Sequence, residues 1–78
     1  MINDLGMALI KKQQWQQAFD QFQYLIALFP KAPQAYDSLA FGYYEQGKIR
    51  LAQTTFAKAL AIKPNFKSDY RADNYQIQ

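Results

Sequence analysis

The chain has 78 residues, half of them hydrophobic, and its nine Lys and Arg against six Asp and Glu give a net charge of +3. This length predicts one small domain, and the apolar content excludes a chain that is disordered throughout. Because the sequence has neither cysteine nor histidine, disulfides, cysteine-based zinc sites and histidine-dependent catalysis are excluded.

The composition favours helices, and the apolar spacing predicts four of them in chain order. Alanine and glutamine each occur eleven times, and valine does not occur at all. Apolar residues recurring at intervals of three and four predict helices over residues 2–12, 15–29, 35–44 and 49–62. Pro30 and Pro64 end the second and fourth helices, and Gly47 suits a left-handed turn after the third.

The ends of the sequence are less strongly patterned. Ser68 can cap a last, polar helix that begins near Asp69. A signal peptide has a basic segment followed by an apolar run, and the first residues of this sequence have neither. No stretch approaches the roughly 18–20 apolar residues of a membrane span. We therefore expect a soluble, cytoplasmic chain that does not insert into a membrane.

The sequence repeats itself at the interval that separates Pro30 from Pro64, which we call the repeat period. A shift by this period aligns five identical pairs between residues 1–32 and 35–66: Leu5 with Leu39, Ala18 with Ala52, Phe22 with Phe56, Ala27 with Ala61, and Pro30 with Pro64. It also aligns Gly6 with Ala40, so that small residues meet small ones. Small residues let two helix backbones approach, and large residues fill the space beside them. The pattern therefore predicts two similar helical hairpins.

Residues 33–66 resemble a tetratricopeptide repeat, a helix–turn–helix unit of about 34 residues. The residues that carry the resemblance are Tyr36, Leu39, Ala40, Tyr43, Gly47, Ala52, Phe56, Ala59 and Pro64. Residues 1–32 are similar to a more divergent copy, in which Gln13 replaces the turn glycine. The resemblance implies an all-α, α-solenoid fold in one domain. It consists of two antiparallel repeats, 1–32 and 33–66, and a short C-terminal capping helix within 67–78.

What the resemblance implies about function is recognition of a protein or peptide. Proteins with this repeat bind such partners in a concave groove lined by the first helix of each repeat. The groove positions carried over to this sequence are Asn3, Met7, Ile10, Lys11, Gln34, Asp37, Ser38, Phe41, Tyr44 and Glu45, with Arg71 placed to close the groove. The side chains of Met7, Phe41 and Tyr44 favour an apolar or aromatic anchor on the ligand. The negative charge of Asp37 argues against the acidic C-terminal peptides that chaperone-binding members recognise.

Two alternatives keep the interaction role but change the partner. The same apolar groove residues would also suit contact with a second copy of the chain, which would make it a homodimer. In addition, residues 35–40 are similar to terminal repeats of some bacterial serine hydrolases of the β-lactamase type. The chain would then be a docking or dimerising terminus of a larger protein.

Catalysis, cofactors and nucleic acid are not expected. Ser38 and Ser68 are the only serines, and neither stands in a Gly-x-Ser-x-Gly motif. The six carboxylates form no obvious pair, and no glycine-rich phosphate loop occurs. The basic residues are scattered, whereas nucleic-acid-binding proteins usually concentrate them on one face. We therefore expect no enzyme activity, no cofactor, no metal and no nucleic-acid partner.

Overall fold

A computed structural model describes residues 4–68 of the chain, and within that range the structure is all-helical with no strand. Its helices are α1 (Asp4–Lys11), α2 (Trp15–Leu28), α3 (Pro33–Glu45) and α4 (Ile49–Ile62). The all-α prediction is confirmed, and each of the four described helices overlaps one of the four predicted ones. The predicted start of the first helix before Asp4 and the predicted capping helix from Asp69 lie outside the described residues.

Prolines determine where α2 ends and α3 begins. Helix α2 stops at Leu28, and its cap residue Phe29 still donates its N–H to the carbonyl of Leu25 at 2.8 Å. Pro30 follows, and a proline cannot continue the helical hydrogen-bonding pattern. Pro33 is the first residue of α3, slightly earlier than predicted. Its missing N–H costs nothing there, since the first N–H groups of a helix have no partner within the helix.

The backbone repeats with the period found in the sequence. Helices α2 and α4 have the same length, and both bounds of α4 lie one repeat period after those of α2. The turns after α1 and α3 contain the same pair of hydrogen bonds, which defines a Schellman ending of a helix. The donors and acceptors are Gln13 to Ile10 (2.9 Å) and Gln14 to Leu9 (2.9 Å) in the first turn, and Gly47 to Tyr44 (3.0 Å) and Lys48 to Tyr43 (2.8 Å) in the second.

The helices pack mainly on their neighbours in the sequence. Among the described helices, α1 contacts α2, α2 contacts α3, α3 contacts α4, and α1 also touches α3. Within residues 4–68, helix α4 contacts neither α1 nor α2. Packing that passes from one hairpin to the next is typical of repeat proteins.

Two apolar clusters of the described residues form the core, one for each hairpin. The first-hairpin cluster contains the buried residues Ile10, Ala18, Phe22 and Leu39. The second-hairpin cluster contains Ala40, Ala52, Phe56 and Ala59. Tyr43 packs against both clusters, and its ring lies 4.8 Å from that of Phe19 in α2. The two hairpins therefore share one continuous core.

The predicted alternation of small and large core residues is confirmed. Ala18, Ala40 and Ala52 are completely buried. A methyl group added at Gly6 would lie 2.2 Å from Cε1 of the buried Phe22 ring, a distance that no side chain can occupy. The hydrogen atom of Gly6 thus lets α1 approach α2 closely, and Phe22 fills the space.

Candidate partner-binding groove

The predicted groove residues that the structure describes belong to α1 and α3, the first helix of each hairpin, and these two helices are in contact. Gly42 in α3 marks one close approach. A methyl group added to it would lie 3.3 Å from Cδ1 of Ile10 in α1 and 2.8 Å from Cε1 of Phe19 in α2. The absence of a side chain at Gly42 therefore brings α3 close to both helices of the first hairpin.

Three of the predicted groove positions on the two helices carry large apolar or aromatic side chains. Met7 from α1 and Phe41 from α3 are each half-buried and pack against the first-hairpin cluster. Tyr44 follows three residues after Phe41, so it lies on the same face of α3, and it is 38% exposed. We name Met7, Phe41 and Tyr44 the apolar strip.

Polar residues border the apolar strip. Lys11 lies one turn after Met7 on α1, and Gln34 and Glu45 lie near the two ends of α3. All three side chains are exposed. The exposed charges of the predicted groove are therefore one positive and one negative, so its described part has no strong electrostatic preference for ligands of one sign.

Two predicted groove residues lie in the interior instead of on the surface. Ile10 is 5% exposed and belongs to the first-hairpin cluster. Asp37 is 1% exposed, and its Oδ1 accepts a hydrogen bond from the hydroxyl of Ser68 at 2.6 Å. This placement corrects the expectation that Asp37 presents its negative charge to a ligand, because the carboxylate is covered. The sequence-based argument against an acidic peptide loses its support from Asp37.

Ser38, the neighbour of Asp37, is also removed from the surface. It is completely buried, and its hydroxyl donates to the carbonyl oxygen of Gln34 at 3.1 Å, one turn earlier in α3. The predicted groove residues Asn3 and Arg71 lie outside the described residues. Among the described groove positions, the residues that remain at least partly exposed are therefore the apolar strip with Lys11, Gln34 and Glu45.

The segment after α4 reaches α3, which the sequence did not indicate. Phe66 packs on the second-hairpin cluster, with its ring 6.1 Å from that of Phe56. Two residues later, Ser68 bonds to Asp37, which is 31 positions away in the sequence. In the sequence, nothing about Ser68 indicates that it contacts Asp37. Hydrogen bonds between distant positions depend on how the helices pack, and apolar periodicity does not report them.

Two features of the described residues lie away from the groove. A shallow apolar cavity of about 430 Å³ is lined by Phe29, Pro30, Lys31 and Ala32, in the connector between α2 and α3. Leu5, Tyr24, Leu28 and Leu51 also expose large apolar side chains.

No helix in residues 4–68 has the length and apolar character needed to cross a membrane, and no cluster of acidic side chains in that range could hold a metal ion.

Comparison with known proteins found no relative of this chain. No protein-family model, no curated protein and no solved structure matches this chain.

Proposed function

We propose that the chain is a protein-interaction module of the tetratricopeptide-repeat type that binds a peptide or a partner protein across α1 and α3. The observation that carries the proposal is the periodic recurrence of helices, turns and core. In this repeat, the first helices of the two hairpins, α1 and α3, are in contact with each other. Repeated helical hairpins are used for recognition because each one adds a similar surface to a continuous face.

Recognition suits the described residues better than catalysis does. A catalytic site needs a nucleophile with a base within hydrogen-bond reach. The chain has no histidine, and the hydroxyl of Ser38 is buried and donates to a backbone carbonyl. The proposal therefore assigns no catalytic residue and no cofactor.

The chemistry of the apolar strip defines the class of ligand. Met7 has a flexible thioether side chain that adapts to the shape of an apolar group. Tyr44 offers an aromatic face together with a hydroxyl, a combination that is enriched at protein interfaces. Lys11 and Glu45 border the strip with opposite charges. We propose a peptide segment anchored by one large apolar or aromatic side chain, without a high net charge.

Selection from a random peptide library displayed on phage tests this proposal. The purified 78-residue chain is the bait, and Kd values of the selected peptides are measured by fluorescence anisotropy. We expect the peptides to share an apolar or aromatic anchor residue. Tyr44→Ala is expected to weaken their binding at least tenfold, since truncation of a central interface residue costs more than about 1.4 kcal/mol.

Leu51→Ala is the matched control. Leu51 is 47% exposed, similar to Tyr44, but it lies on α4 and outside the groove. Both variants should keep the helical circular dichroism of the original chain. The proposal fails if no peptide is enriched, or if the selected peptides bind the Tyr44 variant as tightly as the original chain.

A further inference from the structure

The chain turns back on the second hairpin after α4. The N–H of Phe66 donates to the carbonyl of Lys63, the cap residue of α4, at 2.9 Å, and this bond closes a tight turn. The ring of Phe66 then lies 6.1 Å from that of Phe56, which stands more than one helical turn before the end of α4. After the turn, the chain therefore runs back along the hairpin, from the end of α4 toward its middle.

Ser68 continues this path onto a groove position of α3. Its hydroxyl donates to Oδ1 of Asp37 at 2.6 Å, and Asp37 lies in the first half of α3. Phe41 and Tyr44 follow Asp37 by four and seven residues, so the three lie in one row along the helix. The last described residue is thus held on the row that carries two residues of the apolar strip.

The direction of the chain at Ser68 points along this row. Because α3 and α4 form a hairpin, the end of α4 lies beside the beginning of α3. A chain that runs back from the end of α4 therefore runs along α3 from its beginning toward Tyr44. The residues that follow Ser68 are directed toward the apolar strip and not away from it.

The length of the sequence after Ser68 suits the rest of α3. As the helix that the sequence predicts from Asp69, residues 69–78 span about 15 Å at 1.5 Å per residue. The part of α3 that follows Asp37 ends at Glu45 and spans about 12 Å. The segment is therefore long enough to cover this part of α3 completely.

The residue spacing after Ser68 also matches the row on α3. Ala72 and Tyr75 follow Ser68 by four and seven residues. Phe41 and Tyr44 stand at the same two spacings after the residue that Ser68 contacts. A helix that runs beside α3 in this register brings the small Ala72 to the large Phe41 and brings Tyr75 to Tyr44. The residues that meet are uncharged.

We propose that residues 69–78, which we call the 69–78 segment, bind along α3 of the same molecule and occupy the groove at Phe41 and Tyr44. This inference rests on the proposed function, because the segment takes the place of the peptide ligand. It belongs to the ligand class proposed above: Tyr75 is an aromatic anchor, and two Asp against one Arg give a net charge of −1. An external peptide then binds only when the segment leaves α3, so the segment is a built-in inhibitor of the groove.

Attachment to the same chain makes a weak contact sufficient for inhibition. A segment joined to its binding site by a short connection acts at an effective concentration in the millimolar range. The hydrogen bond between Ser68 and Asp37 holds the segment at one end of the row. The Kd measured for an external peptide is its intrinsic Kd divided by the fraction of molecules in which the segment has left α3.

Chemical cross-linking tests the position of the segment and needs no external peptide. The natural sequence has no cysteine. Glu45→Cys with Asn74→Cys puts two thiols beside the proposed contact of Tyr44 with Tyr75, where a short bis-maleimide can join them. Leu51→Cys with Asn74→Cys is the matched control, because Leu51 is exposed on α4 near the same end of the hairpin. We expect the first pair to cross-link within one molecule at least tenfold faster than the second.

Peptide affinity tests the inhibition. The probes are fluorescent peptides selected from the phage library, with the selection repeated on the Tyr75→Ala chain as bait. We expect the Tyr75→Ala chain to bind them at least threefold more tightly than the original chain, because the open fraction rises. Tyr70→Ala is the matched control, since Tyr70 follows Ser68 by two residues and lies on the opposite side of the predicted helix. This variant should bind like the original chain.

The two measurements separate the failure of the inference from the failure of the proposed function. Equal cross-linking rates for the two cysteine pairs would overturn the position of the segment on α3. Unchanged or weaker peptide binding by Tyr75→Ala would overturn the inhibition, while binding that depends on Tyr44 would keep the proposed function. Faster cross-linking of the Glu45 pair in a chain that enriches no peptide, with or without Tyr75, would reject the proposed function and keep the segment on α3. Circular dichroism checks that every variant keeps its helix content.

Discussion

Gln13 and Gly47 stand one repeat period apart and share a left-handed backbone conformation, with φ angles of 59° and 87°. Each occupies the position after a helix where the chain reverses direction. Glycine adopts such angles freely, whereas a side chain brings Cβ too close to the following carbonyl oxygen. The fold thus imposes the same conformation on both positions, although only one of them has the residue that suits it.

Replacing Gln13 with glycine should therefore stabilise the protein. A residue with a side chain costs about 1–2 kcal/mol in this region, and the added freedom of the unfolded chain offsets about 0.4–1 kcal/mol of that gain. We expect Gln13→Gly to raise the free energy of unfolding by about 0.5–1 kcal/mol. The reverse change, Gly47→Gln, should lower it similarly, because no other atom of the described residues lies within 4 Å of a Cβ placed there. Urea unfolding followed by circular dichroism measures both changes, and a shift of both variants in the same direction would contradict the explanation.

Gly6→Ala should destabilise the protein by overpacking the first hairpin. The new Cβ would lie 2.2 Å from Cε1 of Phe22, and this ring is completely buried. We expect a loss of about 1–3 kcal/mol, as for other insertions into a filled core. In a background with Phe22→Leu the same change should cost less, since the obstructing ring atoms are gone. Equal costs in both backgrounds, measured by urea unfolding, would show that the contact with Phe22 is not the cause.

Leu39→Ala and Leu5→Ala test the difference in burial at one repeat position. Leu39 is 6% exposed, so its truncation should cost about 2–5 kcal/mol. Leu5 is 57% exposed, so its truncation should change stability by less than about 0.5 kcal/mol in the monomer. Thermal unfolding at a concentration where the chain is monomeric measures both variants. Similar losses would mean that the two leucines are equally buried in solution.

Ser68→Ala should destabilise the protein through its effect on Asp37. The hydroxyl of Ser68 donates to a carboxyl group that is 1% exposed, and loss of a hydrogen-bond partner of a buried polar group costs about 1–3 kcal/mol. Thr54→Ala is the control, because Thr54 also donates from its hydroxyl but does so at the exposed surface of α4, to the carbonyl of Arg50. Its removal should change stability by less than about 0.5 kcal/mol. Equal effects of the two changes on the urea midpoint would remove the special role of the contact with Asp37.

The helices and their repeat could be predicted from the sequence because they depend on local chemistry. Prolines stop a helix wherever they occur, and apolar residues at intervals of three and four mark the buried side. Helices α2 and α4 and the left-handed turn at Gly47 could therefore be predicted, and the structure confirms them. The left-handed conformation of Gln13 could not be predicted, because glutamine does not indicate it.

The candidate groove could be predicted only in part. Of the residues that the repeat register assigned to the groove, Lys11 and Tyr44 are exposed and Met7 is half-buried. The register also assigned Asp37 to the groove surface, but this side chain is buried and accepts a hydrogen bond from Ser68, 31 positions along the chain. Spacing along one helix predicts which side of the helix a residue lies on. It does not predict which other segments of the chain pack against that side.

The sequence by itself determined the secondary structure, the repeat period and the small and large residues that let the hairpins pack. Only the tertiary structure decided which of these residues are covered. Leu5 and Leu39 are the same residue at the same repeat position, yet one is mostly exposed and the other is buried. The reason is physical: helix formation depends on neighbours along the chain, whereas burial depends on which other helix lies against a side chain in space.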